Sequence, residues 1–124
     1  MAEETERFRV QGKLATAPEY KISEALTTLD VPFTFQYSLW GGNVVRGGVL
    51  IDWVIYNPMA RPMEHYESHW HSGALGADDK LRLAKIAHYF GVPEVILIFG
   101  DEVDGETPQE DVVEIVRRRI GTAL

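Results

Sequence analysis

The stretch Val49-Leu50-Ile51-Asp52-Trp53-Val54-Ile55-Tyr56 constrains this chain more than any other. Its β-branched and aromatic residues suit a pleated surface, and their near-continuous apolar character predicts a central strand covered on both faces. A carboxylate in the middle of such a strand is costly unless it is hydrogen-bonded, paired or bound to a metal. Leu50 and Val54 share the face of Asp52, because side chains two apart lie on one side of a strand. Solvent exposure of Asp52 on an open sheet face is the plain alternative, and its apolar neighbours count against it.

The flanking segments supply the rest of a sheet and its cover. Ile22, Ala25, Leu26 and Leu29 recur at helical spacing within 16–29. Thr16 and Glu19 have capping-box spacing there, with Pro18 in the first turn. Phe33, Phe35 and Tyr37 alternate with Thr34 and Gln36 and predict a half-buried strand. Gly41-Gly42 and Gly47-Gly48 punctuate the turn that follows. Residues from Arg61 to about Ser68 predict the next strand. A helix then runs from an Asp78 N-cap to Phe90, with Leu83, Ile86, Ala87 and Phe90 as its buried stripe and Gly91 beyond its end. The segment 94–99 predicts a buried strand. Thr107 and Glu110, with Pro108 between them, predict a capping box for a last helix closed by Gly121. The order helix, three strands, helix, strand, helix implies an α/β fold with a mixed four-stranded sheet between helices. The chain of 124 residues predicts one domain, 1–124, with residues 1–15 as an N-terminal extension.

Composition excludes several function classes. The longest wholly apolar run, Val95 to Phe99, is too short for a membrane helix, so no membrane partner is expected. Glu3, Glu4 and Glu6 follow Met1 where a secretory signal would be basic and then apolar. The absence of cysteine excludes disulfides, thiolate metal sites and a cysteine nucleophile. A net charge of −7 argues against nucleic-acid binding by bulk electrostatics. That acidity is concentrated in residues 1–6 and 101–111, whereas residues 7–100 carry nine acids and nine bases. Phosphate-binding glycine loops, the dinucleotide fingerprint and the serine-hydrolase elbow are all missing.

Two features could carry chemistry. Glu64, on the strand after that of Asp52, could converge with it on a hard divalent cation, which takes oxygen ligands and lowers the pKa of bound water. The segment 64–71 also holds His65, His69 and His71. If extended, His65, Glu67, His69 and His71 would share one side, so a zinc site is conceivable, although the helical H-E-x-x-H pattern is absent.

Taken together, Gly41-Gly42, Gly47-Gly48, Ile51-Asp52-Trp53, Glu64 and Trp70-His71 form a string that resembles the PD-(D/E)XK nuclease superfamily. The likeness spans about residues 18–120 and is nearest to very-short-patch-repair and Holliday-junction-resolvase-like nucleases and to phage-associated relatives. It implies a restriction-endonuclease-like core and a metal-dependent DNA endonuclease or resolvase. Asp52 and Glu64 would be its metal-binding acids, with Glu19 as an additional ligand and magnesium or manganese as the ion. By the same resemblance, Arg46, Arg61 and Lys80 would contact DNA phosphates, which position the duplex without reading sequence. The family's lysine should stand two residues after Glu64, where this chain has Tyr66. Tyr66 would share the face of Glu64, but a phenol of pKa about 10 replaces an ammonium poorly. Lys80 or Lys85 on the next helix, or His65 or His69, would then have to take over its role. The alternative is an inactive nuclease fold serving as a structural part of a virion or other assembly. DNA, a homodimer or a larger assembly are the corresponding partners, and the cytoplasm or a virion the corresponding location.

Overall fold

A computed structural model describes residues 8–42, 48–66 and 76–122. Arg46, Gly47, Glu67, His69, Trp70 and His71 lie outside the described residues. The elements run β1 (Arg9–Val10), β2 (Lys13–Leu14), α1 (Ala17–Thr28), β3 (Phe33–Leu39), β4 (Val49–Tyr56), β5 (Ala60–Tyr66), α2 (Ala77–Phe90), β6 (Ile96–Phe99) and α3 (Gln109–Thr122). Strands β3 to β6 form one mixed sheet in sequence order; β3–β4 and β4–β5 are antiparallel, and β5–β6 is parallel. The expected order is therefore present, with the short β1–β2 hairpin preceding it.

Each face of the sheet is covered. On one side Ile22 and Leu26 of α1 and Val112 and Val116 of α3 pack with Phe35, Trp53, Ile55, Met63 and Ile98. On the other, Ile86 and Ala87 of α2 pack with Leu39, Ile51, Val54 and Val95. Trp53, fully buried, donates its indole N–H to Ser23 Oγ at 2.9 Å. That bond satisfies a polar atom which burial would otherwise strand, and it ties α1 to the central strand.

Local chemistry explains where the helices begin. At α1, Thr16 Oγ1 accepts the Glu19 N–H at 3.2 Å, and Glu19 Oε1 accepts the Thr16 N–H at 2.9 Å, the capping box read in the sequence. The other two starts differ from expectation. Helix α2 begins after Gly76, so Asp78 lies inside the first turn, where an acid complements the helix dipole without capping. Before α3, Thr107 Oγ1 donates to Asp104 Oδ1 at 3.1 Å and accepts the Asp104 N–H at 3.0 Å, which commits the hydroxyl to the preceding turn. Helix α3 also continues through Gly121 to Thr122.

The β1–β2 hairpin covers the outer edge of β3. Gln11 Oε1 accepts the Phe35 N–H at 2.9 Å and its Nε2 donates to the Phe33 carbonyl at 2.7 Å, so a side-chain amide pairs as a neighbouring strand would. Lys13 Nζ donates to the Phe35 carbonyl at 2.9 Å. Such cover blunts an edge otherwise open to another chain.

The Trp53–Ser23 contact gives a direct test of the packing. Ser23→Ala leaves the buried indole N–H without an acceptor and should lower unfolding free energy by about 1–3 kcal/mol, measured by urea denaturation. An unchanged midpoint would show that the bond contributes nothing net.

Candidate functional site

The two acids singled out in the sequence meet where β4 and β5 part. Their ladder runs from Tyr56↔Ala60 to Trp53↔Met63. At the next step the Asp52 carboxylate enters: Oδ2 accepts the His65 N–H at 2.9 Å. A side chain thus supplies the acceptor for this amide, and β4 and β5 open around a carboxylate. Beyond the opening, β5 stays paired to β6 through Glu64↔Leu97, His65↔Ile98 and Tyr66↔Phe99.

Asp52 is mostly buried, and its pKa is pushed up from 3.8 to about 7. Desolvation is the largest cause, since low-dielectric surroundings disfavour the ionised form. The charge of Glu64 raises it further and that of Glu19 adds a smaller push, while the His65 amide and the Arg82 guanidinium oppose them.

Glu64 is only 3% exposed. Both of its oxygens are taken by one residue: Arg82 Nη1 lies 2.5 Å from Oε1 and Arg82 Nη2 lies 2.8 Å from Oε2. The same Nη2 donates to the Leu50 carbonyl on β4 at 2.9 Å. A planar fork matched to a carboxylate makes a strong, directional pair, and here it also bridges β4, β5 and α2. The pairing raises the Arg82 pKa, chiefly through the hydrogen bonds to Glu64, so the side chain remains a cation. Tyr66 does share the face of Glu64, with its hydroxyl 3.5 Å from Arg82 Nη1 and its ring stacked on Phe99. Burial and the Glu64 charge push its pKa up to about 12, so the phenol stays protonated at neutral pH.

The remaining expected site residues are dispersed. Glu19 contributes charge near Asp52, but its Oε1 is committed to the α1 capping box. His65 turns its ring the other way, with Nε2 2.9 Å from the Val103 carbonyl. Lys80 is exposed on α2; two residues from Arg82 is about 200° around a helix, so it points away from the acids. Arg61 does not face solvent as a phosphate contact would. Its guanidinium is buried near the end of α3, donating to the Asn57 carbonyl at 3.3 Å and the Ile120 carbonyl at 3.5 Å. Desolvation lowers its pKa.

This donor set does not fit a divalent cation. Among the described residues no three His, Asp or Glu side chains converge as metal ligands. A metal needs ionised oxygens free to coordinate. Glu64 has both oxygens on Arg82, Glu19 has one in a cap, and Asp52 has one on an amide. No protein-family model matches the chain, and neither does any curated protein or solved structure.

Arg82 is the site residue the sequence does not single out, because a cation on a helix surface carries no mark of the acid it pairs with. One signal was available. Arg82 precedes Ile86 by four residues and so lies beside the buried stripe of α2, where a cation needs an acid.

Two measurements follow from this geometry. Arg82→Met strands the Glu64 carboxylate and should cost about 3–5 kcal/mol at neutral pH, whereas Glu64→Met with Arg82→Met together should recover most of that loss. Equal destabilisation by the single and double variants would refute the pairing. For Asp52 the folded pKa lies above the unfolded value, so between about pH 4 and 7 the folded state holds the extra proton. Its contribution is present at low pH and is lost as pH rises through 7. Asp52→Asn should therefore stabilise the protein relative to wild type at pH 8 and lose that advantage near pH 4, read by thermal unfolding at each pH.

Proposed function

We propose that this chain is a nuclease-like fold without metal-dependent hydrolysis, working as a binding or structural component of an assembly. The observation that carries the reading is the bidentate Glu64–Arg82 pair: an internal cation holds the acid that would otherwise ligate a metal. The position of the family's lysine is filled by Tyr66, a neutral hydroxyl that neither activates water nor neutralises a phosphate at pH 7. The −7 charge supports the same reading, since it opposes approach to a polyanion. The resemblance to phage-associated relatives makes a virion one such assembly, and a cytoplasmic complex another.

A specific observation keeps a second reading in view, that of a magnesium- or manganese-dependent DNA endonuclease. Asp52 has a pKa shifted to near neutrality and lies close enough to Glu64 to feel its charge, and perturbed carboxylates of this kind collect at active sites. In that reading Arg82 would have to leave Glu64 before the acids could act. DNA would be the partner.

Plasmid nicking with magnesium or manganese separates the two. The structural reading expects wild type and Asp52→Asn to be equally inert. Nicking by wild type that Asp52→Asn abolishes would establish the endonuclease.

A further inference from the structure

Among the described residues, β6 has β5 on one side and no strand on the other. Its open side is nonetheless occupied by side chains. The Leu97 carbonyl accepts from Nη1 of Arg119, and the Phe99 N–H donates to Glu102 Oε1 at 3.0 Å. Nη2 of the same arginine is paired with Glu102 Oε2. Each partner is held in place from behind. The turn after β6 folds Glu102 back on the strand, because the Glu102 and Val103 N–H groups both donate to the Phe99 carbonyl, at 2.8 and 3.1 Å. Arg119 projects from α3 between Val116 and Ile120, which are buried in the core.

The spacing of these bonds is that of a strand. A residue of a parallel neighbour donates its N–H to one carbonyl and accepts an N–H two residues further along. Arg119 and Glu102 together take that pair, at Leu97 and Phe99. On the far edge Gln11 takes the corresponding pair on β3, the Phe33 carbonyl and the Phe35 N–H. The sheet is thus closed at one edge by a single amide and at the other by an ion pair.

The segment under the ion pair indicates what it keeps out. Val95 to Phe99 is the longest wholly apolar run of the chain, with no charge, proline or glycine and three β-branched residues. Such a segment on an open edge pairs with its own kind, since its N–H and C=O groups lack partners and its apolar side chains stack on identical ones. Two copies of β6 would meet about a two-fold axis, a self-complementary contact that closes on itself. An acid and a base laid across the edge oppose this, because an incoming apolar strand would have to displace or bury both charges. We propose that Glu102 and Arg119 form an edge clasp that keeps β6 from pairing with β6 of a second copy of this chain. The clasp is separate from the Asp52–Glu64 chemistry, and its test is independent of nicking.

Amide hydrogen exchange read by NMR tests the clasp first in the wild-type chain. The Phe99 amide should exchange at least tenfold more slowly than an unstructured amide, at a rate that does not change with protein concentration. Glu102→Ala with Arg119→Ala removes one charge of each sign, so the net charge stays at −7. When dilute, this double variant should lose the Phe99 protection. As its concentration rises it should form dimers or larger species in sedimentation velocity, with the protection returning in step. Glu102→Gln keeps an oxygen for the Phe99 N–H and should sediment as wild type does. Circular dichroism and thermal unfolding establish that each variant is folded, and Glu102→Ala alone repeats the test with α3 untouched. Rapid exchange of Phe99 in wild type would overturn the proposal. So would folded clasp variants that sediment like wild type at every concentration, association without renewed Phe99 protection, or association of Glu102→Gln equal to that of the double variant.

Discussion

A buried carboxylate needs a cation, and the Glu64–Arg82 pair is the contact on which this arrangement turns. Glu64 sits in a strand flanked on both sides by other strands, where an unpaired charge would be expelled or neutralised. Arg82 reaches it from α2 and also donates to the Leu50 carbonyl of β4 and the Tyr66 hydroxyl. One guanidinium therefore links the two strands that part at Asp52 with the helix that covers them. Burial of the pair alone would be weak evidence for stability, because desolvation offsets much of the attraction. What the pair fixes is geometry: it sets how α2 sits over the opening between β4 and β5.

Asp52 depends on that geometry. Its oxygen replaces a backbone acceptor for His65, and its charge sits between Glu64, which opposes ionisation, and Arg82, which favours it. Arg82 spends its fork on Glu64, so burial first, and then the Glu64 charge, favours the protonated form of Asp52. A metal ion would answer the same electrostatic need in another way. Arg82 answers it from within the chain, and it does so at the acid nearest the position where the resemblance places a lysine and the sequence has Tyr66.

Much of the architecture was legible because period and punctuation agreed. The Val49–Tyr56 strand, the α1 capping box and the stripe of α2 each combined a local signal with an apolar pattern, and each is present as read. The failures have physical reasons. Asp78 and Thr107 have the right residue types for caps, but hydroxyls and carboxylates can satisfy other backbone groups, and Thr107 serves the turn at Asp104. Residues 9–14 carry no strong strand signal, because β1 and β2 are two residues each and pair only with one another, while the Gln11 side chain covers β3. At the site, Asp52 and Glu64 were visible as acids in apolar strands, whereas Arg82 looked like one more helix-surface cation. Arg61 was misleading for the opposite reason: its charge suggested solvent, and the fold buries it against backbone carbonyls.

The bidentate pair with Arg82 leaves Glu64 no free oxygen to offer a divalent cation. Titration calorimetry of the wild-type protein with manganese at pH 7.5 reads whether the acids can take the ion. With Glu64 held by Arg82, no saturable heat is expected at millimolar manganese and no accompanying rise in thermal stability. Stoichiometric binding that is lost in both Asp52→Asn and Glu64→Gln would contradict it.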